Sequence, residues 1–432
     1  MPLFSKPPPV RLPASIDLPK ARRWTLSNGL DVVAIGGAKT PILRVEMIFN
    51  AGRPFETGRL VARATNQLLN ESTRQRDGAE LEDFFEFYGT SLQTPNVFDT
   101  GHVAVYTILP HLEKILPVFA EVIAEPAFNK KDFKTFVRRS KQDLREDLTD
   151  PDTLAYRHFT EQIFGADHPY GYNSFPKDYD KLDLSVVRDF HASAYVANNA
   201  TLLVSGMVTD KVAMLLEKHL GQLPKGQKLQ AGPFSVKGTP GIYQLHRPKA
   251  SQTMIRRGIP LFPRSHPDYP GLTVLNTLFG GYFGSRLMRN IREEKGYTYG
   301  IDSSVDFMRF GGYLTIGADV ANENLALVRG EIDREIDKIR TDLVPDQELD
   351  TTRAYLLGSL LHNIDGPLNT ADRYQMTIIE ATDADHFPRL VDTIRHINPA
   401  ELRELAQRYL GTEQEREVIV GGAEILEGAV GL

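Results

Sequence analysis

The sequence predicts an α+β protein built from two homologous domains of about 200 residues, each a largely antiparallel sheet packed with helices. Three observations lead there. Short strands with period-two alternation mix irregularly with amphipathic helical stretches. The order of these elements in the first half recurs in the second. A stretch without apolar periodicity, rich in Gly, Pro, Lys and Gln, separates the two.

The first half opens on "RRWTLSNGLDVVAIG", which alternates around Asn28-Gly29, a strong hairpin signal. "ILRVEMIFNAG" is a second strand. Helical segments are expected at about Glu56 to Asn70 and at Gly78 to Tyr88, followed by the strand "GHVAVYTIL", where Val103, Val105 and Thr107 alternate with Ala104 and Tyr106. "HLEKILPVFAEVIAEP" and "NKKDFKTFVRRSKQDLREDL" read as helices, the former expected to kink or divide at Pro117. Two more helices, "DPDTLAYRHFTEQIF" and "DLSVVRDFHASAY", precede the buried strand "ATLLVSGMV" and the closing helix "DKVAMLLEKHLGQL".

Seven elements then repeat in the same order at a spacing of about 207 to 216 residues, a period that marks domain duplication and not a solenoid. "QTMIRRGIPL" follows the early strand, "GLTVLNTLFGG" the first helix, and "SRLMRNIREEKGYTYG" stands where "AELEDFFEFYGTSL" stood. "GGYLTIGADV" matches "GHVAVYTIL", and "NPAELRELAQRYL" before "EREVIVGGA" matches the helix and strand that end the first half. The expected organisation is an extended, proline-rich arm over 1–21, a first domain over 22–222, a linker over 223–241 and a second domain over 242–432.

Composition excludes several chemistries. The 432 residues carry a net charge of -6, so a basic footprint for nucleic acid is missing. There is no cysteine, which removes thiol nucleophiles, thiolate metal sites and disulfides together. No window approaches 18 consecutive apolar residues, so no membrane span is expected. The first residues lack the apolar run of a signal peptide. The compartment stays open: periplasmic if a leader has been removed, cytoplasmic otherwise. The eleven histidines lie no closer than nine residues apart, so none pairs on a helix face as a local zinc motif requires. "FGGYFGSRL" lacks the Gly-Lys-Ser/Thr ending of a P-loop; Gly280, Gly281 and Gly284 suit either a tight turn or a loop that contacts a peptide. The acids of "DLREDLTDPD", Asp143, Glu146, Asp147, Asp150 and Asp152, read as a solvated helix end and an N-cap.

"REEKGYTY" after a glycine-rich turn, "HPYG" at His168 to Gly171 and "YVANNATLLVSG" from Tyr195 to Gly206 occur together within the duplicated framework. This combination resembles the M16 family of zinc metallopeptidases, the pitrilysin and mitochondrial processing peptidase group, over about Arg22 to Ala423. The resemblance implies a first-half helix carrying H-x-x-E-H, whose two His bind zinc and whose Glu is the general base, with a Glu further along completing the site. Here the matching helix reads "LVARATNQLLNEST". Arg63 takes the first His position, Asn66 the Glu position, Gln67 the second His position and Asp143 the distal Glu position. A cation and an amide oppose zinc and base chemistry, so no cofactor is expected in this chain. The resemblance further implies that Arg292 and Tyr299, seven residues apart, face the zinc site of another domain or subunit, holding a substrate carbonyl and stabilising the oxyanion of a tetrahedral intermediate. The expected partner is an M16 subunit with intact H-x-x-E-H that holds the zinc. Peptides are the expected substrates, and the chain alone is expected to be inactive. The alternative is a structural or peptide-binding subunit of a larger complex.

Overall fold

A computed structural model describes residue 13 and residues 15–95 and 97–432; most of the N-terminal arm lies outside them. The strands are β1 (Arg22–Thr25), β2 (Asp31–Ile35), β3 (Ile42–Phe49), β4 (Ser91–Gln93), β5 (Gly101–Ile108) and β6 (Ala200–Gly206), then β7 (Gly241–His246), β8 (Gln252–Leu261), β9 (Thr298–Met308), β10 (Gly311–Ala321), β11 (Arg416–Gly421) and β12 (Val430–Gly431). Helices of the first half are α1 (Val61–Leu68), α2 (Gly78–Phe87), α3 (Leu112–Ala124), α4 (Lys130–Asp147), α5 (Pro151–Phe164), α6 (Pro176–Tyr179), α7 (Leu184–Ala194) and α8 (Asp210–Leu220). Those of the second are α9 (Tyr269–Phe279), α10 (Leu325–Thr341), α11 (Asp346–His362), α12 (Gly366–Glu380), α13 (His386–His396) and α14 (Pro399–Tyr409).

The strands form two six-stranded sheets, ordered β1-β2-β6-β3-β5-β4 and β12-β7-β11-β8-β10-β9. Reading across them, β2 answers to β7, β6 to β11, β3 to β8, β5 to β10 and β4 to β9. Both sheets place a parallel pair at the same point, β2 with β6 and β7 with β11, and run antiparallel from there to the edge at β4 or β9; the outermost strands differ, β1 antiparallel to β2 and β12 parallel to β7. The α+β duplication is thus present in strand order and strand direction. The Asn28-Gly29 hairpin joins β1 to β2, with Gly29 at φ +88°.

Each sheet is covered on both faces, and period-two alternation divides its side chains between two cores. On the inner face of the first sheet, Val45, Met47, Val103, Val105 and Val204 pack with Ala64 of α1, Phe119 of α3, Phe190 of α7 and Leu216 of α8. The outer face presents Val33, Ile35, Ile48 and Leu203, and these meet Ala371, Tyr374 and Ile378 of α12 from the second half. The second sheet does the reverse. Ile255, Ile259, Leu314, Ile316 and Ile419 face its own helices. Tyr243, Met254, Tyr313, Val418 and Val420 face Ala155, Phe159 and Ile163 of α5 from the first half. The halves therefore exchange one helix each. Asp152 at the start of α5 pairs with Arg256 on β8, and Asp150 caps α5 by accepting from the Thr153 N–H at 2.9 Å, the N-cap read from "DLTDPD".

Three local expectations change. The first helix begins at Val61, not Glu56, because Arg53–Phe55 forms a 3₁₀ turn and Leu60 adopts φ +71°, which no α-helix continues. The helix at Pro117 runs unbroken from Leu112 to Ala124. The described part of the arm is extended, yet Ile16 is buried in the second core, and Tyr374 of α12 donates to the Pro19 carbonyl at 3.0 Å. Its apolar residues outweigh the prolines that suggest a loose tail.

Candidate functional site

Arg292 and Tyr299 sit on one compact turn at the edge of the second sheet. Met288–Glu294 is a π-helix, wider by one residue per turn than the α-helix that the sequence pattern suggests. It is anchored by Asn290, whose amide donates to Glu331 and Glu335 of α10 at 3.2 and 2.8 Å. The Gly296 N–H donates to the Arg292 carbonyl at 3.1 Å and the Tyr297 N–H to the Ile291 carbonyl at 3.0 Å, reversing the chain. Gly296 makes this possible at φ +65°, a region that penalises a side chain.

The edge strand β9 starts two residues later with a bulge. Thr298 pairs with Val320 and Gly300 with Asp319, so Tyr299 is an extra residue opposite no partner. Such a bulge re-aims a side chain. Here it turns the Tyr299 ring into solvent at 89% relative exposure. The Thr298 hydroxyl locks the bulge by donating to the Asp319 carbonyl and accepting from the Gly300 N–H. Arg292 is half-buried with its guanidinium 5.2 Å from the centre of the exposed Phe283 ring. It forms no ion pair with Glu293 or Glu294, and among the described residues neither Arg292 nor the Tyr299 hydroxyl has a hydrogen-bonding partner for its side chain. Gly280 brings the preceding loop against this strand: a Cβ there would lie 2.4 Å from the Ser303 Oγ, and its carbonyl accepts from the Ser303 N–H at 3.1 Å. Gly281 closes on Thr277 of α9 and Gly284 on the Tyr282 ring, so these glycines serve the packing of the turn.

The first-half helix offers different chemistry. The Asn66 side chain is buried and committed on both sides. Its Nδ2 donates to the Pro95 carbonyl at 3.1 Å, while its Oδ1 accepts from the His102 N–H and from the Tyr195 hydroxyl, both at 2.9 Å. Arg63 and Gln67 are half-buried on the same helix, and Asp143 is exposed on α4. No three His, Cys, Asp or Glu side chains gather into a metal-holding group among the described residues. A guanidinium and two amides at the positions that the resemblance gives to the zinc ligands and the base do not fit zinc. Replacing Asn66 by Leu would strand two buried donors, and a loss of about 2–4 kcal/mol of stability is expected in urea unfolding. A change below 1 kcal/mol would show that the amide is not holding this corner.

Residues not singled out from the sequence complete this corner. Arg53 lies between the rings of Phe98 and Tyr172, 4.7 and 4.6 Å from their centres, and donates to the Tyr172 carbonyl at 3.3 Å. Glu56 accepts from the Tyr172 hydroxyl and from the Ala62 N–H at the start of α1, taking the place of a side-chain cap. Burial pushes its carboxyl up to about 7. The signal was present in "NAGRPFETG", polar residues crowded between a strand and a helix, but their aromatic partners Phe98 and Tyr172 lie more than 40 residues away.

Residues 181–356 match the model of the peptidase M16 inactive domain. An uncharacterized zinc protease of Mycobacterium tuberculosis is 25% identical over 408 residues, covering 90% of this chain and 91% of the relative. The zinc protease PqqE of Helicobacter pylori is 23% identical over 378 residues, covering 84% of each. Among solved structures, the M16 inactive domain from Pseudomonas fluorescens superposes with a TM-score of 0.86 at 21% identity, covering 94% of this chain and 98% of that one. The periplasmic protease PqqL from Escherichia coli gives 0.76 at 14% identity, and this chain spans 46% of it. The chain thus shares the two-domain α+β fold of these structures and is similar along most of its length to proteins named as zinc proteases. The residues that match the M16 inactive-domain model include the turn that holds Arg292 and Tyr299. They do not include the helix of Arg63, Asn66 and Gln67.

Proposed function

We propose that this chain is the non-zinc-binding subunit of a heteromeric M16-type metallopeptidase. It contributes substrate binding, and Arg292 and Tyr299 stabilise the oxyanion while a partner with intact H-x-x-E-H supplies zinc and base. The observation that carries this reading is the turn at Gly296. A π-helix, a left-handed glycine and a bulge together present a guanidinium and a phenol that no hydrogen bond or ion pair among the described residues engages. Both are donors suited to a carbonyl oxygen as it gains charge. Substrate would lie extended, adding to the exposed edge at β4, which is only three residues long.

The test is reconstitution. The chain alone is expected to cleave no peptide. Mixed with its H-x-x-E-H partner it is expected to cleave peptides in a chelator-sensitive way. Stable association without hydrolysis would favour the alternative, a structural or peptide-binding M16-like subunit, and would overturn the catalytic reading.

A further inference from the structure

Where a zinc site would stand, a pocket opens instead. Its cavity of about 120 Å³ lies between the start of α1 and the loop that joins the edge strand β4 to β5, with Arg53, Arg63, Asn66, Pro95, Phe98 and Thr100 in its wall. That is room for a carboxylate with its adjoining carbon, judged against the 10–15 Å³ or so that one water needs. Two arginines reach this wall and no carboxylate does. Arg53 is held in place by its two flanking rings. Arg63 makes no ion pair, and its Nε is buried without a hydrogen-bond partner among the described residues. The Glu56 carboxyl, whose charge bears on Arg53, is turned to Tyr172 and Ala62 and pushed towards neutrality by burial. Asn66 is fixed by three hydrogen bonds, so the floor of the pocket is rigid.

We infer that this pocket binds a carboxylate of an extended peptide, held by the Arg63 guanidinium with Arg53 as the second cation. Replacing a zinc ligand by Arg converts a site built for a cation into one for an anion. The planar guanidinium suits a carboxylate, which it can grip through two parallel N–H donors. Position supports a peptide source. The pocket begins two residues beyond the end of β4, so a strand added to that edge runs towards it. In this respect the inference rests on the peptide-binding part of the function proposed above, though not on catalysis. The carboxylate could be the peptide's C-terminus or an Asp or Glu side chain.

The experiment uses the full chain without any partner and three fluorescein-labelled decapeptides of otherwise equal sequence. One ends in a free carboxylate, one is C-terminally amidated and neutral, and one is amidated with an internal Glu. Fluorescence anisotropy is expected to show at least one carboxylate peptide binding tenfold or more tightly than the neutral one. Which of the two does so identifies the source. Arg63→Gln is expected to reduce that preference to under twofold with an unchanged melting temperature, since it breaks no hydrogen bond or ion pair among the described residues; Arg63→Met repeats the test with a second side chain. The inference is overturned if the three peptides bind alike, if none binds, or if both variants keep the preference. The subunit reading is judged separately by hydrolysis in the reconstituted mixture, so either can fail while the other stands.

Discussion

Arg292→Ala is expected to lower kcat of the reconstituted peptidase by about 10²–10³-fold, the cost of deleting one preorganised oxyanion donor. Tyr299→Phe should fall in the same range, because it removes only the hydroxyl and keeps the ring. The reason to expect kcat and not KM to move is that a carbonyl oxygen gains negative charge only as the tetrahedral intermediate forms; donors aimed there bind the transition state better than the substrate. Arg292→Lys is expected to recover only part of the rate, since a point charge does not reproduce the guanidinium fork. Folding should be unaffected by the Tyr299 change: the ring is 89% exposed and its hydroxyl bonds to nothing among the described residues. Steady-state kinetics on the mixture, with assembly checked by size-exclusion chromatography, decides the matter. Unchanged turnover in both single variants would remove these residues from the mechanism.

Much of this frame was legible in the sequence, and the limits were physical. Alternation and the Asn28-Gly29 turn gave the strands, because each strand buries one face against its own helices. The repeat of element order carried through to the same order for five strands of each sheet. The exchange of α5 and α12 was not legible. An amphipathic stretch such as "DPDTLAYRHFTEQIF" declares an apolar face but not which sheet it covers, and here it covers the sheet of the other half. Residues 363–397, to which the pattern assigned nothing, fold as α12 and α13; the face of α12 that meets the first sheet uses Ala371 and Tyr374 beside isoleucines, a weak signal in isolation. The π-helix was equally hidden, since a single extra residue in one turn leaves no trace in composition. At the site, the chain positions of Arg292 and Tyr299 came from resemblance. The bulge that exposes Tyr299 depends on its pairing with β10, some 20 residues away.

The helix exchange leads to the largest expected effect on stability, at Arg44. This residue lies on β3 with its side chain 6% exposed and bridges the first sheet to α12. Its guanidinium donates to Glu46, which is 1% exposed, and to Asp372 on α12, which is 60% exposed. Glu46 also receives a hydrogen bond from Gln375 of α12 at 2.7 Å and meets the His102 Nδ1 at 2.7 Å; despite burial, His102 and Arg44 hold its carboxyl below the usual range. Arg44→Met would leave that carboxylate buried without its cation, and an uncompensated buried charge costs about 3–5 kcal/mol. Asp372→Asn should cost under about 1 kcal/mol, because an exposed carboxylate is already solvated and screened. The contrast separates a buried charge from a surface pair on the same arginine. Adding Glu46→Gln to Arg44→Met is expected to restore part of the loss, since the neutral amide removes the stranded charge and keeps an acceptor for Gln375. The readouts are the urea midpoint and hydrogen exchange over 366–380, which should accelerate in Arg44→Met before the sheets themselves open, because α12 reaches the first sheet through this cluster and the apolar contacts of Ala371, Tyr374 and Ile378. A loss below 1 kcal/mol, or exchange that rises uniformly over both halves, would show that the apolar contacts alone hold α12 across the two domains.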